Sequence, residues 1–141
     1  MSTALKEKLE KIQKLLERLA TESAKGTITI VEGPNDEKAL HELGINGEII
    51  SAKTFKSFID MLSEIEERRQ KEIILLMDFD RRGKEWTRRL MQNLERLRIK
   101  ANVVFWNGLL NLAGREIKDI EGLASYMKTL EKKSGLEDTV P

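Results

Sequence analysis

The chain has 141 residues, enough for one domain with a single core. It has no cysteine and a single histidine, His41, which excludes disulfides and thiolate metal sites and argues against a histidine-built zinc site. Charged residues make up 35%, yet the net charge is only +1; no apolar run is long enough for a membrane span or a signal peptide, so a soluble cytoplasmic protein is expected.

Leu5, Leu9, Ile12, Leu16 and Leu19 recur at intervals of four and three, one apolar face of a helix over about residues 2–23 that ends at Lys25-Gly26. This stripe is expected to pack on the rest of the fold; a helical seam between two copies is the alternative reading. The β-branched run TITIVEG, 27–33, reads as a first strand. PNDEKALHELG opens with Pro34, Asn35 and Asp36, residues suited to a helix start, and closes on Gly44. EIISA is a short second strand, and 53–69 a helix with Phe55, Phe58, Ile59, Leu62 and Ile65 on one face. EIILLMD, 72–78, is a third strand. The segment 81–99 is a helix expected to bury Trp86, Leu90, Leu94 and Leu97. ANVVFW, 101–106, reads as a fourth strand that leaves Trp106 at its end, either buried or free to stack on a base. Residues 107–119 read as a loop, 120–133 as a last helix and 134–141 as a mobile tail.

Strands alternating with helices of ten or more residues predict an α/β fold, a mainly parallel sheet of about four strands with helices on both faces, plus the N-terminal helix. The expected division is 1–25 for that helix, 26–133 for the domain and 134–141 for the tail.

In such a sheet ligands bind beyond the C-terminal ends of the strands. Glu32 stands at that end of the first strand, and Asp78 and Asp80 at that end of the third. Residues two apart on an extended segment point the same way, so the two aspartates are expected to converge. Close carboxylates repel unless one is protonated or a cation lies between them. Oxygen donors without cysteine or histidine favour a hard ion, Mg2+ or Mn2+, held by one or two carboxylates and completed by a nucleic-acid phosphate, with Glu32 as a further metal ligand or the general base. Turn chemistry and helix capping are the ordinary reasons for an aspartate at a strand end, but two matching acidic strand ends are harder to explain that way.

Charge is unevenly spread. Residues 81–100 hold eight Lys or Arg and two Glu, a local +6 on a chain of net +1. Arg82, Arg89 and Arg96 fall near one line of the helix, and Arg81 and Arg88 near an adjacent one. With Lys84, they form either a solvated helix face or a surface that grips a phosphate backbone, RNA or DNA, without reading its sequence.

IVEGPNDEKAL and LLMDFDRRGKEW together resemble the two motifs of the Toprim domain, shared by topoisomerases, DnaG-type primases and small RNA-maturing nucleases. The resemblance covers about residues 27–133 and is nearest to small stand-alone, primase-like Toprim proteins. It implies Glu32 as general acid/base, Asp78 and Asp80 as ligands of a divalent metal, and Gly33 and Asp36 as support. KDIEGL, with Lys118 and Asp119, matches a further polar turn of the family. Topoisomerase-like members carry a third acid where this chain has Arg82, which leaves the number of metals open. The implied function is Mg2+-dependent phosphoryl transfer or hydrolysis on RNA or DNA; the alternative is a non-catalytic nucleic-acid-binding module acting as accessory subunit of a larger assembly. Under either, the expected partners are RNA or DNA, with a homodimer or a larger nucleic-acid-processing complex as the candidate assemblies.

Overall fold

Four short segments pair side by side in the computed structural model, which describes residues 3–135. They are β1 (Ile28–Val31), β2 (Ile49–Ser51), β3 (Glu72–Leu76) and β4 (Lys100–Asn102). The order is β2-β1-β3-β4 and every pairing is parallel, with Val31 opposite Ser51 on one side and Leu76 on the other. Parallel neighbours need crossover connections. Among the described residues these and the flanking segments supply α1 (Thr3–Ala24), α2 (Pro34–Glu42), α3 (Phe58–Glu67), α4 (Arg81–Arg96), α5 (Val104–Ala113) and α6 (Glu121–Ser134).

Alternate residues of a strand face opposite sides, so each central strand feeds two cores. Ile28, Ile30, Ile73, Leu75 and Met77 pack with Met61 and Ile65 of α3 and Leu90 and Leu94 of α4. Val31, Ile74 and Leu76 pack on the other side with the buried residues of α1, α2, α5 and α6. Leu9, Ile12, Leu16 and Leu19 are all buried there, against α5 and α6. The stripe is therefore used within the chain rather than left as a seam. Each such side chain contributes about 1.5–3 kcal/mol. Gly26 and Gly44, at φ +103° and +91°, end α1 and α2 in the left-handed region, where a side chain is costly. No helix among the described residues is long and apolar enough to cross a membrane. The expected tail at 134–141 lies outside the described residues from 136 onward.

Two expectations need correction. The fourth strand stops at Asn102, and the segment expected to continue it and then loop is α5. Asn102 makes the turn: its side-chain oxygen accepts the Val104 N–H at 3.0 Å. Phe105, Leu109 and Ala113 then recur every four residues and bury one face, so tertiary packing overrides the strand preference of VVFW. The third helix begins at Phe58, not Lys53. A 3-10 turn over Ala52–Thr54 precedes it, and Ser57 caps it by accepting the Asp60 N–H at 3.1 Å.

Candidate active site

From β1 the chain first goes to β2 on one side, and from β3 to β4 on the other. The crevice beyond the C-terminal ends of β1 and β3 is thus the point where the strand order reverses, the usual ligand site of an open α/β sheet. Glu32 directly follows β1, and Asp78 lies two residues past β3. The two meet there: the Asp78 backbone N–H donates to Glu32 Oε2 at 2.8 Å. Glu32 is buried and Asp78 half-buried. Asp78 Oδ1 is buried without any hydrogen-bond partner among the described residues. Burial, then the hydrogen-bonded carboxylate of Glu32, then the charges of Asp36 and Asp119 push the Asp78 carboxyl up to about 8. Without a cation, the Asp78 carboxyl therefore keeps its proton at neutral pH.

Two of the supporting residues form a frame behind this pair. Asp36 is buried in the first turn of α2. Its Oδ2 accepts the Gly33 N–H at 3.0 Å and its Oδ1 the Glu121 N–H at 2.8 Å, which ties the start of α2 to the start of α6. Burial raises its pKa against these two donors, with Asp119 and Glu32 adding to the rise. Asp119 Oδ1 accepts the Gly122 N–H at 2.7 Å, and the Lys118 carbonyl accepts the Phe79 N–H at 2.7 Å, while the Lys118 side chain is exposed. Lys118 thus serves through its backbone.

Asp78 and Asp80 meet different surroundings. Between them Phe79 turns into the core and stacks on Trp106, ring centroids 6.3 Å apart. Trp106, buried on α5, donates its indole N–H to the Met77 carbonyl at 2.9 Å, clamping the end of β3. Asp80 is exposed and caps α4, its Oδ1 accepting the Gly83 N–H at 2.7 Å. Gly83 lets α4 come this close, because a Cβ there would stand 2.0 Å from the Asp78 carbonyl oxygen. The clamp by Trp106 escaped the sequence reading; the spacing of Phe105, Leu109 and Ala113 was the signal that could have shown the helix carrying it.

Arg81, Arg82, Lys84, Arg88 and Arg89 are exposed on α4, which starts from Asp80. Arg81 reaches Glu85 at 3.5 Å; among the described residues the other four form no salt bridge.

An oxygen-only donor set suits a hard divalent cation. The Asp78 Oδ1 beside Glu32 has no hydrogen-bond partner among the described residues, which leaves it open to a cation. Among the described residues no three acidic or histidine side chains form a ready-made metal cage. Mg2+ takes one or two carboxylates and fills its shell with water and phosphate.

A family model for the Toprim domain matches residues 27–106, more than half of the chain. The chain belongs to the Toprim domain family. The match includes Glu32, Asp78 and Asp80. The Toprim family is one of nucleic-acid-processing proteins, and its domains generally bind Mg2+ through acidic residues. The chain is 35% identical over 130 residues to a UPF0292 protein of Methanosarcina barkeri, covering 92% of this chain and 90% of that protein. It is 37% identical over 122 residues to a UPF0292 protein of Methanocaldococcus jannaschii, covering 86% and 93%. Among solved structures it resembles a putative protein from Aquifex aeolicus, with a TM-score of 0.64, 26% identity and coverage of 77% of this chain and 94% of that one.

Proposed function

We propose that this Toprim protein carries out Mg2+- or Mn2+-dependent phosphoryl transfer on nucleic acid, most simply hydrolysis of RNA or DNA, in the cytoplasm. The observation that carries the reading is the Glu32–Asp78 pair at the β1/β3 switch point, with Asp78 Oδ1 buried and, among the described residues, unpartnered. Asp78 and Asp80 would hold the cation, with Glu32 a further ligand or the general base. A bound cation supplies charge stabilisation at the reacting phosphate. As general base, Glu32 takes the proton of the attacking water as the new P–O bond forms, and the proton then passes to the oxygen of the broken P–O bond. Burial suits Glu32 to this role because it excludes bulk water from the carboxylate. Arg82, at the position of the family's third acid, contacts the reacting phosphate, while Arg81, Lys84, Arg88 and Arg89 hold the flanking backbone.

A second reading, a nucleic-acid-binding module without turnover, is favoured by the lack of a three-acid cage among the described residues and by Arg82. One experiment separates the two. Purified protein is incubated with end-labelled RNA and DNA panels, with and without Mg2+ or Mn2+. Products that require the cation and disappear in Asp78→Asn and Glu32→Gln are expected. Binding without product in every arm selects the module.

A further inference from the structure

The flank of the switch point that is built by α3 and α4 contains a cleft of about 360 Å3, within the range of small-ligand sites. Its walls are aromatic: Phe55, Phe58 and Trp86, all half-buried. Phe58 and Trp86 meet edge to face with ring centroids 5.7 Å apart. Its rim is cationic: Lys53, Lys56 and Arg89, with the Arg89 guanidinium 4.0 Å from the centre of the Phe58 ring. Among the described residues none of these three cations forms a salt bridge, and no acidic side chain lines the cleft. Four other clefts, of about 200–550 Å3, each include at least one glutamate.

The cleft adjoins the acids. The Lys53 N–H donates to the Glu32 carbonyl at 2.9 Å. The Lys53 side chain runs across Gly33, where an added Cβ would stand 3.5 Å from its Cδ and 3.9 Å from its Nζ. On the other side, Trp86 and Arg89 stand on the helix that Asp80 caps.

We infer that this cleft is a subsite for an unpaired nucleotide of a single-stranded segment. The base stacks on the aromatic wall formed by Trp86 and Phe55, and the adjoining phosphates lie on Lys53 and Lys56. The inference rests on the nucleic-acid reading above and deepens it to the strandedness of the substrate. A base can reach an aromatic face only when it is out of a duplex, and stacking tolerates any base. The short path from Lys53 to Glu32 places the strand so that it continues toward the switch point.

Tryptophan fluorescence in EDTA tests this without depending on turnover. The probes are oligo(dT) and oligo(U) single strands and a duplex of mixed sequence. Trp106 is buried and hydrogen-bonded, so quenching by single strands reports Trp86. Trp86→Leu is expected to weaken single-strand binding about tenfold and duplex binding little, with Trp86→Phe restoring most of it. Lys53→Ala/Lys56→Ala, at two exposed positions, is expected to weaken both single strands on the order of tenfold and to lower the salt slope. Tighter binding of one polymer supports the subsite and names its source. No single-strand binding, or binding that leaves Trp86 unquenched and is unchanged in Trp86→Leu, overturns the subsite. So does binding that responds to the lysines alone. Cation-dependent turnover with an unused cleft would leave the chemistry standing, while quenching without turnover would leave the cleft standing on a binding module.

Discussion

Two regions that begin within a few residues of each other, the end of β3 and the outer face of α4, hold their charges in opposite ways. Beyond the ends of β1 and β3 the carboxylates of Glu32, Asp36 and Asp119 are buried or half-buried and tied to the backbone: Glu32 to the Asp78 N–H, Asp36 to the N–H groups of Gly33 and Glu121, Asp119 to the Gly122 N–H. On α4 the cations stand in solvent, and among the described residues only Arg81 meets a carboxylate. The first region is fixed before any ligand arrives, at the cost of desolvated like charges. The second keeps its charges hydrated and available, which suits contacts that position a polymer. Substitutions in the first should therefore change chemistry and folding; those in the second should change affinity and its dependence on salt.

The largest effect is expected at the acids. If the proposed chemistry holds, Glu32→Gln and Asp78→Asn should each lower cation-dependent turnover by about 100-fold or more, the scale of lost acid–base or metal assistance. Initial rates at saturating substrate, with melting curves to confirm the fold, measure this. An equal loss in Arg88→Ala would erase the division between the two regions.

Gly83→Ala tests how tightly the two regions are joined. A methyl in a helix interior normally gains about 1 kcal/mol. Here it would meet the Asp78 carbonyl oxygen at 2.0 Å. α4 must shift, and overpacking of this kind costs about 3 kcal/mol, roughly 10 °C in Tm. A variant as stable as the parent would show that α4 does not brace the Asp78 loop.

Next comes pH. The Asp78 carboxyl is raised from 3.8 to about 8, so between these values the folded protein keeps a proton that the unfolded chain releases. The cation-free protein is then most stable below pH 4 as far as this group is concerned, and loses stability as pH rises through 8. Because the group is only half-buried, solvent screening reduces the effect to about 1–2 kcal/mol. Denaturant melts in EDTA at pH 5 and pH 8.5 should show the fall, and Asp78→Asn should flatten it. A cation that displaces the proton should bind more tightly as pH rises. The same melts with Mg2+ would reveal this.

The sequence showed the parallel sheet and put Glu32 and Asp78 at neighbouring strand ends, because β-branched runs bounded by turn residues and helix starts are local signals. What it missed depends on contacts far apart in the chain. Asp36 reads as a helix start, but its second oxygen serves Glu121, 85 residues away. Asp78 and Asp80 look equivalent by spacing. The chain leaves extended structure after Leu76, and Asp80 becomes a helix cap. Trp86 reads as core, yet it is half-buried against Phe58 at the open cleft. VVFW has strand composition, and only the packing of α5 under the end of β3 makes it a helix.

The smallest effect, and the one that sharpens the comparison most, concerns the exposed cations. Lys84→Ala/Arg88→Ala removes two charges that are exposed and make no salt bridge among the described residues, so stability should change by no more than about 0.5 kcal/mol. If both charges neutralise phosphates, the double variant should bind RNA and DNA more weakly by about the same factor whatever their sequence. The slope of log affinity against log salt should also drop by about 1.4 to 1.8, because each lost contact no longer releases a counterion. Arg82→Ala, nearer the acids, should lower turnover more than affinity. Anisotropy titrations at several salt concentrations supply the slopes, and the rates come from the assay used for the acids. An unchanged slope in the double variant would mean that α4 carries only a hydrated surface. The polymer would then have to be held by the switch point and by the cations of the neighbouring cleft.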